Sequence, residues 1–159
     1  MVKISTLRLY RSLKMSPLPS RRYVLDEDYT ILGYTVPKGF LTNGADVPHA
    51  LYPALPPNDS LVFPAVLLHD YLCDLVKAKY NAGHNIDVLK EFAHADHELK
   101  EALKLLEISN MRTHVYFYGV HGYTKFIRPF ELMYYNITGK YIPVYKRNSK
   151  LLLDQIVRA

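Results

Sequence analysis

The stretch from about Leu61 to Lys79 constrains this chain more than any other. Phe63, Ala65, Val66, Leu67, Leu68, Tyr71, Leu72, Cys73, Leu75 and Val76 cover it on nearly every side. A helix apolar all round, and not long enough to span a bilayer, belongs inside a domain with other elements wrapped about it. Pro64 fits such a helix because its missing N–H falls in the first turn, where no intrahelical partner exists. Within this apolar run stand His69 and Asp70, and polar groups placed there need partners.

Those partners should come from the neighbouring segments. Asp87 to Leu106 is amphipathic, with Leu89, Phe92, Leu99, Leu103 and Leu106 at three- and four-residue spacing. The slot between Phe92 and Leu99 on that stripe is filled by Asp96, a carboxylate where an apolar side chain is expected. Helices joined by a loop as short as Asn81–Asn85 pack antiparallel, so His69, Asp70 and Asp96 are expected to meet. A third helical region, about Asn110 to Ile137, is broken near Pro129 and dense in tyrosine. Gly119 and Gly122 within it permit a bend or the close approach of another helix.

Ahead of the helices the pattern is that of strands. Tyr23–Leu25, Tyr29–Leu32 and Tyr34–Val36 are rich in β-branched and aromatic residues, with Asp26-Glu27-Asp28 and Gly33 as turns and Pro37-Lys38-Gly39 as the end. Thr42-Asn43-Gly44-Ala45-Asp46-Val47-Pro48 reads as a tight loop feeding a short helix capped by Asp46 and ended by Pro56-Pro57-Asn58-Asp59. The expected fold is α+β: a small N-terminal antiparallel β unit packed on a mainly helical core of three to four helices. Residues 1–20 form a basic arm ending in the linker-like Ser16–Ser20, residues 21–139 the domain, and residues 140–159 a basic tail with a short helix from Leu151 to Val157.

Charge follows this division. Across 159 residues the net charge is +5, but the two ends carry +12 and residues 23–111 carry −7. Basic ends about an acidic body suit docking onto a protein partner or non-specific contact with nucleic acid, and no reading motif for a base sequence is present. One cysteine, Cys73, leaves no internal disulfide and no cysteine-based zinc site, and its buried setting makes an inert thiol. The early charges Lys3 and Arg8 interrupt any signal-peptide core, which points to a protein kept in a reducing cytoplasm.

Imidazole and carboxylates held together suit two chemistries, a divalent metal site or general acid–base catalysis with Asp orienting His. His69, Asp70 and Asp96 are therefore the candidate catalytic or metal-ligating residues. They can equally tie two helices together with no chemistry at all. His94 and His97 share a polar helix face and read as surface histidines. His114 and His121 flank the aromatic helix and read as core or interface histidines.

The order Val36-Pro37-Lys38-Gly39-Phe40, Thr42 to Pro48, Ala65 with His69-Asp70 and Leu72, then Ala95-Asp96 resembles the domain-of-unknown-function 1353 family of phages and prophages. The resemblance covers about residues 22–126. Asn43 stands where that family usually has Asp, and Asp46 where it usually has Ser. The resemblance implies a phage or prophage origin, hence host cytoplasm or virion, and a clustered set of polar motifs; in a hydrolase the loop residues Thr42, Asn43, Asp46 and His49 are the expected substrate contacts. The order His49, His69-Asp70, Asp96 is also similar to the HD phosphohydrolases, but their ligands lie on an all-helical core and His49 here follows a β unit. Two functions stay open beside non-specific nucleic-acid binding through the basic ends. One is a small metal-dependent hydrolase. The other is a non-enzymatic virion or host-interaction protein that docks phage or host partners through its basic ends and tyrosine-rich third helix.

Overall fold

The computed structural model describes residues 15–18, 22–43 and 60–158. The expected short helix after the Thr42–Pro48 loop, and the arm before Met15, lie outside the described residues.

Five short strands come first: β1 (Met15–Leu18), β2 (Arg22–Leu25), β3 (Tyr29–Ile31), β4 (Tyr34–Val36) and β5 (Leu41–Thr42). β3 and β4 form an antiparallel hairpin with Thr30 facing Thr35, their hydroxyls 2.9 Å apart. Leu32, expected in the strand, is instead half of a two-residue turn with Gly33. Both have positive φ, 50° and 79°, as a turn matched to strand twist requires. β2 is the centre of a three-stranded antiparallel sheet in the order β1-β2-β5. β1 takes most of the segment read as a linker. Pro17 is tolerated there because β1 is an edge strand. β5 went unforeseen because two residues carry no periodicity. It pairs Leu41 with Val24 and Thr42 with Tyr23 after the turn at Pro37–Gly39.

Five helices follow among the described residues: α1 (Phe63–Asn81), α2 (Val88–Leu105), α3 (Asn110–Phe126), α4 (Arg128–Thr138) and α5 (Lys146–Arg158). Asp87 caps α2 by accepting from the Lys90 N–H at 3.2 Å, and Ser109 caps α3 through the Arg112 N–H at 3.4 Å. Pro129 in the first turn of α4 fixes the break expected there. As its composition demands, α1 is central: it packs on α2, α5 and β4, and eleven of its residues are buried. Ile31, Val36 and Phe40 from the β unit join Leu67, Leu68, Leu99, Leu103 and Leu152 in one core. No helix of the described residues is long and apolar enough to cross a membrane.

The basic tail is part of this core. Its helix starts at Lys146, five residues before the expected Leu151, because its first turn is polar and shows no apolar period. Leu152 is fully buried, and so is Asn148. The Asn148 amide accepts from the Leu41 N–H at 2.7 Å and donates to the Leu41 carbonyl at 2.8 Å and to Asp74 at 3.0 Å. One side chain thus locks β5, α1 and α5 together. Asn81, the last residue of α1, holds Ile142 in the same two-way fashion at 2.9 and 2.8 Å. Removing a buried amide of this kind strands polar groups that water cannot reach. Asn148→Ala is therefore expected to lower unfolding free energy by roughly 2–4 kcal/mol, read from the urea midpoint, with a loss under about 0.5 contradicting the lock.

Candidate functional site

Successive residues of a helix point about 100° apart, so His69 and Asp70 leave α1 in different directions. His69 faces α2 and α3. Its Nε2 lies 2.8 Å from Asp96 Oδ1 on α2, and the other oxygen of Asp96 receives His121 Nδ1 from α3 at 3.3 Å. Asp96 has no exposed surface, while the two imidazoles are each mostly buried. One carboxylate between two imidazoles thus joins three helices.

Electrostatics at this bridge favour charge separation. Burial alone would raise the Asp96 pKa, yet the His69 hydrogen bond, the neighbouring Thr124 hydroxyl, the His69 charge and the His121 hydrogen bond together hold it below the usual carboxylate value. Burial also works to lower the His69 pKa. The Cys73 sulfur, the bond to Asp96 and the Asp70 charge outweigh it and raise His69 to about 10. Cys73 Sγ lies 3.6 Å from His69 Nε2, and Arg128 Nη2 lies 3.8 Å from the same sulfur. The Arg128 guanidinium sits 3.7 Å above the Phe92 ring, and the His121 ring stacks on Phe117 with centroids 5.0 Å apart. Cys73 is buried, as its helix implied.

Asp70 belongs to a second place. It turns toward β5, where Thr42 Oγ1 donates to its Oδ2 at 2.5 Å. Here burial is the largest influence and raises the carboxyl to about 6. The Thr42 bond, His69 and Lys77 oppose that rise, and Asp74 adds to it. Thr42 and Asp70 stand in a groove of about 400 Å³, lined also by Asn43, Asp74, Lys77, Val144 and Tyr145. Asn43 is exposed at the groove, and Asp74 pairs with Lys77 at 3.3 Å.

The expected convergence of His69, Asp70 and Asp96 is thus met for His69 and Asp96 and not for Asp70. Among the described residues no three His, Cys, Asp or Glu side chains are placed to hold a metal ion. Thr42 and Asn43 do share a groove with Asp70, whereas Asp46 and His49 lie outside the described residues. His94 and His97 are exposed, His94 bonding the Tyr34 hydroxyl at 3.0 Å. His121 was not singled out as a site residue, because a helix apolar on all sides gives no clue to which face meets Asp96. A separate groove of about 530 Å³, lined by Tyr34, Lys79, Glu91 and His94, has Lys79 and Glu91 paired across it at 3.4 Å.

The model of the family described as "Protein of unknown function (DUF1353)" matches residues 21–120, and the chain belongs to that family. Comparison with curated proteins and with solved structures finds no match. The matched span holds β2 to β5, α1, α2 and most of α3. It therefore includes Thr42, Asp70, His69 and Asp96, and stops one residue short of His121.

The two carboxylates respond to pH with opposite signs. Asp96 has a depressed folded pKa, so its contribution is present above the unfolded value near 3.8 and is lost in acid. His69 has a raised one, so its contribution is full below about 6.5 and fades as pH climbs through about 10. Asp70 also has a raised folded pKa, so its ionisation erodes stability as pH rises from 3.8 to about 6. Calorimetry is expected to find Asp70→Asn melting above the wild type at pH 7.5 and level with it near pH 3.5. Asp96→Asn, which leaves an imidazolium uncompensated, should lose roughly 3–5 kcal/mol at neutral pH. A wild-type advantage over Asp70→Asn at pH 7.5 would contradict the assignment.

Proposed function

We propose that this member of the DUF1353 family is a bacteriophage-type accessory protein, working in the host cytoplasm or the virion, and that it is a small hydrolase acting from Asp70. One observation carries the reading. A half-buried carboxyl with its pKa raised to about 6 faces an open groove beside a hydroxyl, an amide and a lysine. A group tuned to titrate close to working pH, against a cost in stability, is what general acid–base catalysis needs.

In this reading Thr42 donates to Oδ2 and fixes the carboxyl rotamer, leaving Oδ1 as the base. Oδ1 accepts a proton from a water whose oxygen bonds to the substrate's electrophilic centre, and returns it to the leaving group as that group's bond to the centre breaks. Lys77 lies where negative charge developing on the substrate would be met, and Asn43 offers an amide to a polar substrate group. His69 and Asp96 do not touch the substrate. The His69 charge restrains the Asp70 pKa from one residue away, and the Asp96 bridge keeps that charge in place. The donors of the proposed metal set, His69, Asp70 and Asp96, are not gathered at one point, so no step runs through a metal. A groove of about 400 Å³ takes a small group or the end of a polymer.

A second reading keeps the protein non-enzymatic, a virion or host-interaction protein. What favours it is the complete burial of Asp96 between two imidazoles, which has the geometry of a structural tie. The readings separate on a panel of chromogenic esters and phosphomonoesters with peptidoglycan alongside. The wild type is expected to turn over one class, with a pH–rate limb near 6, and Asp70→Asn to lose at least about 100-fold in kcat with its melt intact. Asp70→Asn retaining full activity would refute the hydrolase reading, and no turnover of any class would favour the second one.

A further inference from the structure

Helix α3 is apolar on the side away from its core as well as on the side facing it. Thr113, Tyr116, Phe117 and Thr124 are buried against the domain. On the opposite face Met111, Val115, Tyr118 and Phe126 follow at spacings of four, three and eight, exposed by 69, 37, 67 and 71%. Gly119 and Gly122 complete that face, and a Cβ added at either would meet nothing within 4 Å. Glycine inside a helix lowers its stability, and among the described residues nothing fills the space the two leave open. A helix apolar on both faces has two neighbours to satisfy, and the described residues supply one.

The shape of this face suits a copy of itself. In an antiparallel helix pair about a two-fold axis midway between residues 118 and 119, position numbers across the pair add to one constant. Tyr118 then lies over the partner's Gly119, Val115 over the partner's Gly122, and Met111 against the partner's Phe126. Each bulky residue finds a small one or an apolar end, and the fit is reciprocal, as an isologous interface demands. Phe130 and Ile137 on α4 are also exposed, by 69 and 78%. The four bulky side chains of the α3 face offer roughly 400–600 Å² per copy, so two copies together reach the ~1,000 Å² that a specific interface must clear. Arg112 and the partner's Lys125 approach at the rim, so like charge opposes the pairing and salt relieves it.

We propose that the outer face of α3 is a homodimer interface, closed about the Gly119–Gly122 waist. Sedimentation equilibrium of the full chain at micromolar concentration is expected to give twice the chain mass, with tighter association as salt is raised. Gly119→Lys with Gly122→Lys meets none of the described residues in a single copy, so in solutions dilute enough to keep both proteins monomeric its melting temperature should equal or exceed the wild type, while dimerisation weakens by at least ~100-fold. A monomeric wild type overturns the proposal, as does a double variant that dimerises as well as the wild type. A wild type that is monomeric but sediments with anionic vesicles, and is released by salt, overturns it in favour of a membrane surface.

Discussion

The buried carboxylate of Asp96 is the constraint about which the helical part of this protein is organised. An isolated ion at full burial would cost several kcal/mol, so its position on the apolar stripe of α2 is tenable only with donors supplied from both sides. His69 on α1 supplies one and His121 on α3 the other. The bridge fixes more than stability. Apolar side chains tolerate sliding and rotation with modest penalty, whereas two hydrogen bonds to one carboxylate set how α1, α2 and α3 are turned about their axes. With α1 set, the direction of Asp70 is set as well.

That dependence links the two polar places. His69 and Asp70 are neighbours in sequence with opposite surroundings: one is in a bridge among helices, the other beside β5 at an open groove. Among the described residues Thr42 is the close donor to Asp70, and burial is the largest influence on its titration. Its counterpart Asp96 is more deeply buried and yet more acidic, because it has two imidazole partners. Two carboxylates pushed apart in pKa by their partners are a common arrangement where one supports and the other reacts. The groove in turn relies on Asn148, which holds the Leu41 backbone beside α1 and accounts for the tail being part of the domain.

Much of this was legible in the residues. The apolar helix, the stripe of α2 with its misplaced carboxylate, the meeting of His69 with Asp96 and the break at Pro129 all follow from period and polarity. Asp70 was misdirected because two adjacent polar residues look like a pair in sequence, while helical geometry separates them. His121 stayed hidden because α3 is apolar on both faces and offers no inner side to read. β1 and β5 were lost to a proline and to brevity, since edge pairing of a few residues depends on a partner distant in sequence. The early start of α5 escaped for a related reason, as its one buried polar side chain, Asn148, acts through a strand more than a hundred residues away.

Asp70 and Asp96 are held on opposite sides of the ordinary carboxylate value by their surroundings, and side-chain NMR addresses this most directly. Carboxyl and imidazole resonances of labelled protein, followed with pH, are expected to show Asp70 titrating near 6 while Asp96 stays ionised below the ordinary carboxylate range and His69 stays protonated well above neutrality. An Asp70 that titrates at or below the ordinary value near 3.8, or a His69 already neutral at pH 7, would contradict the account.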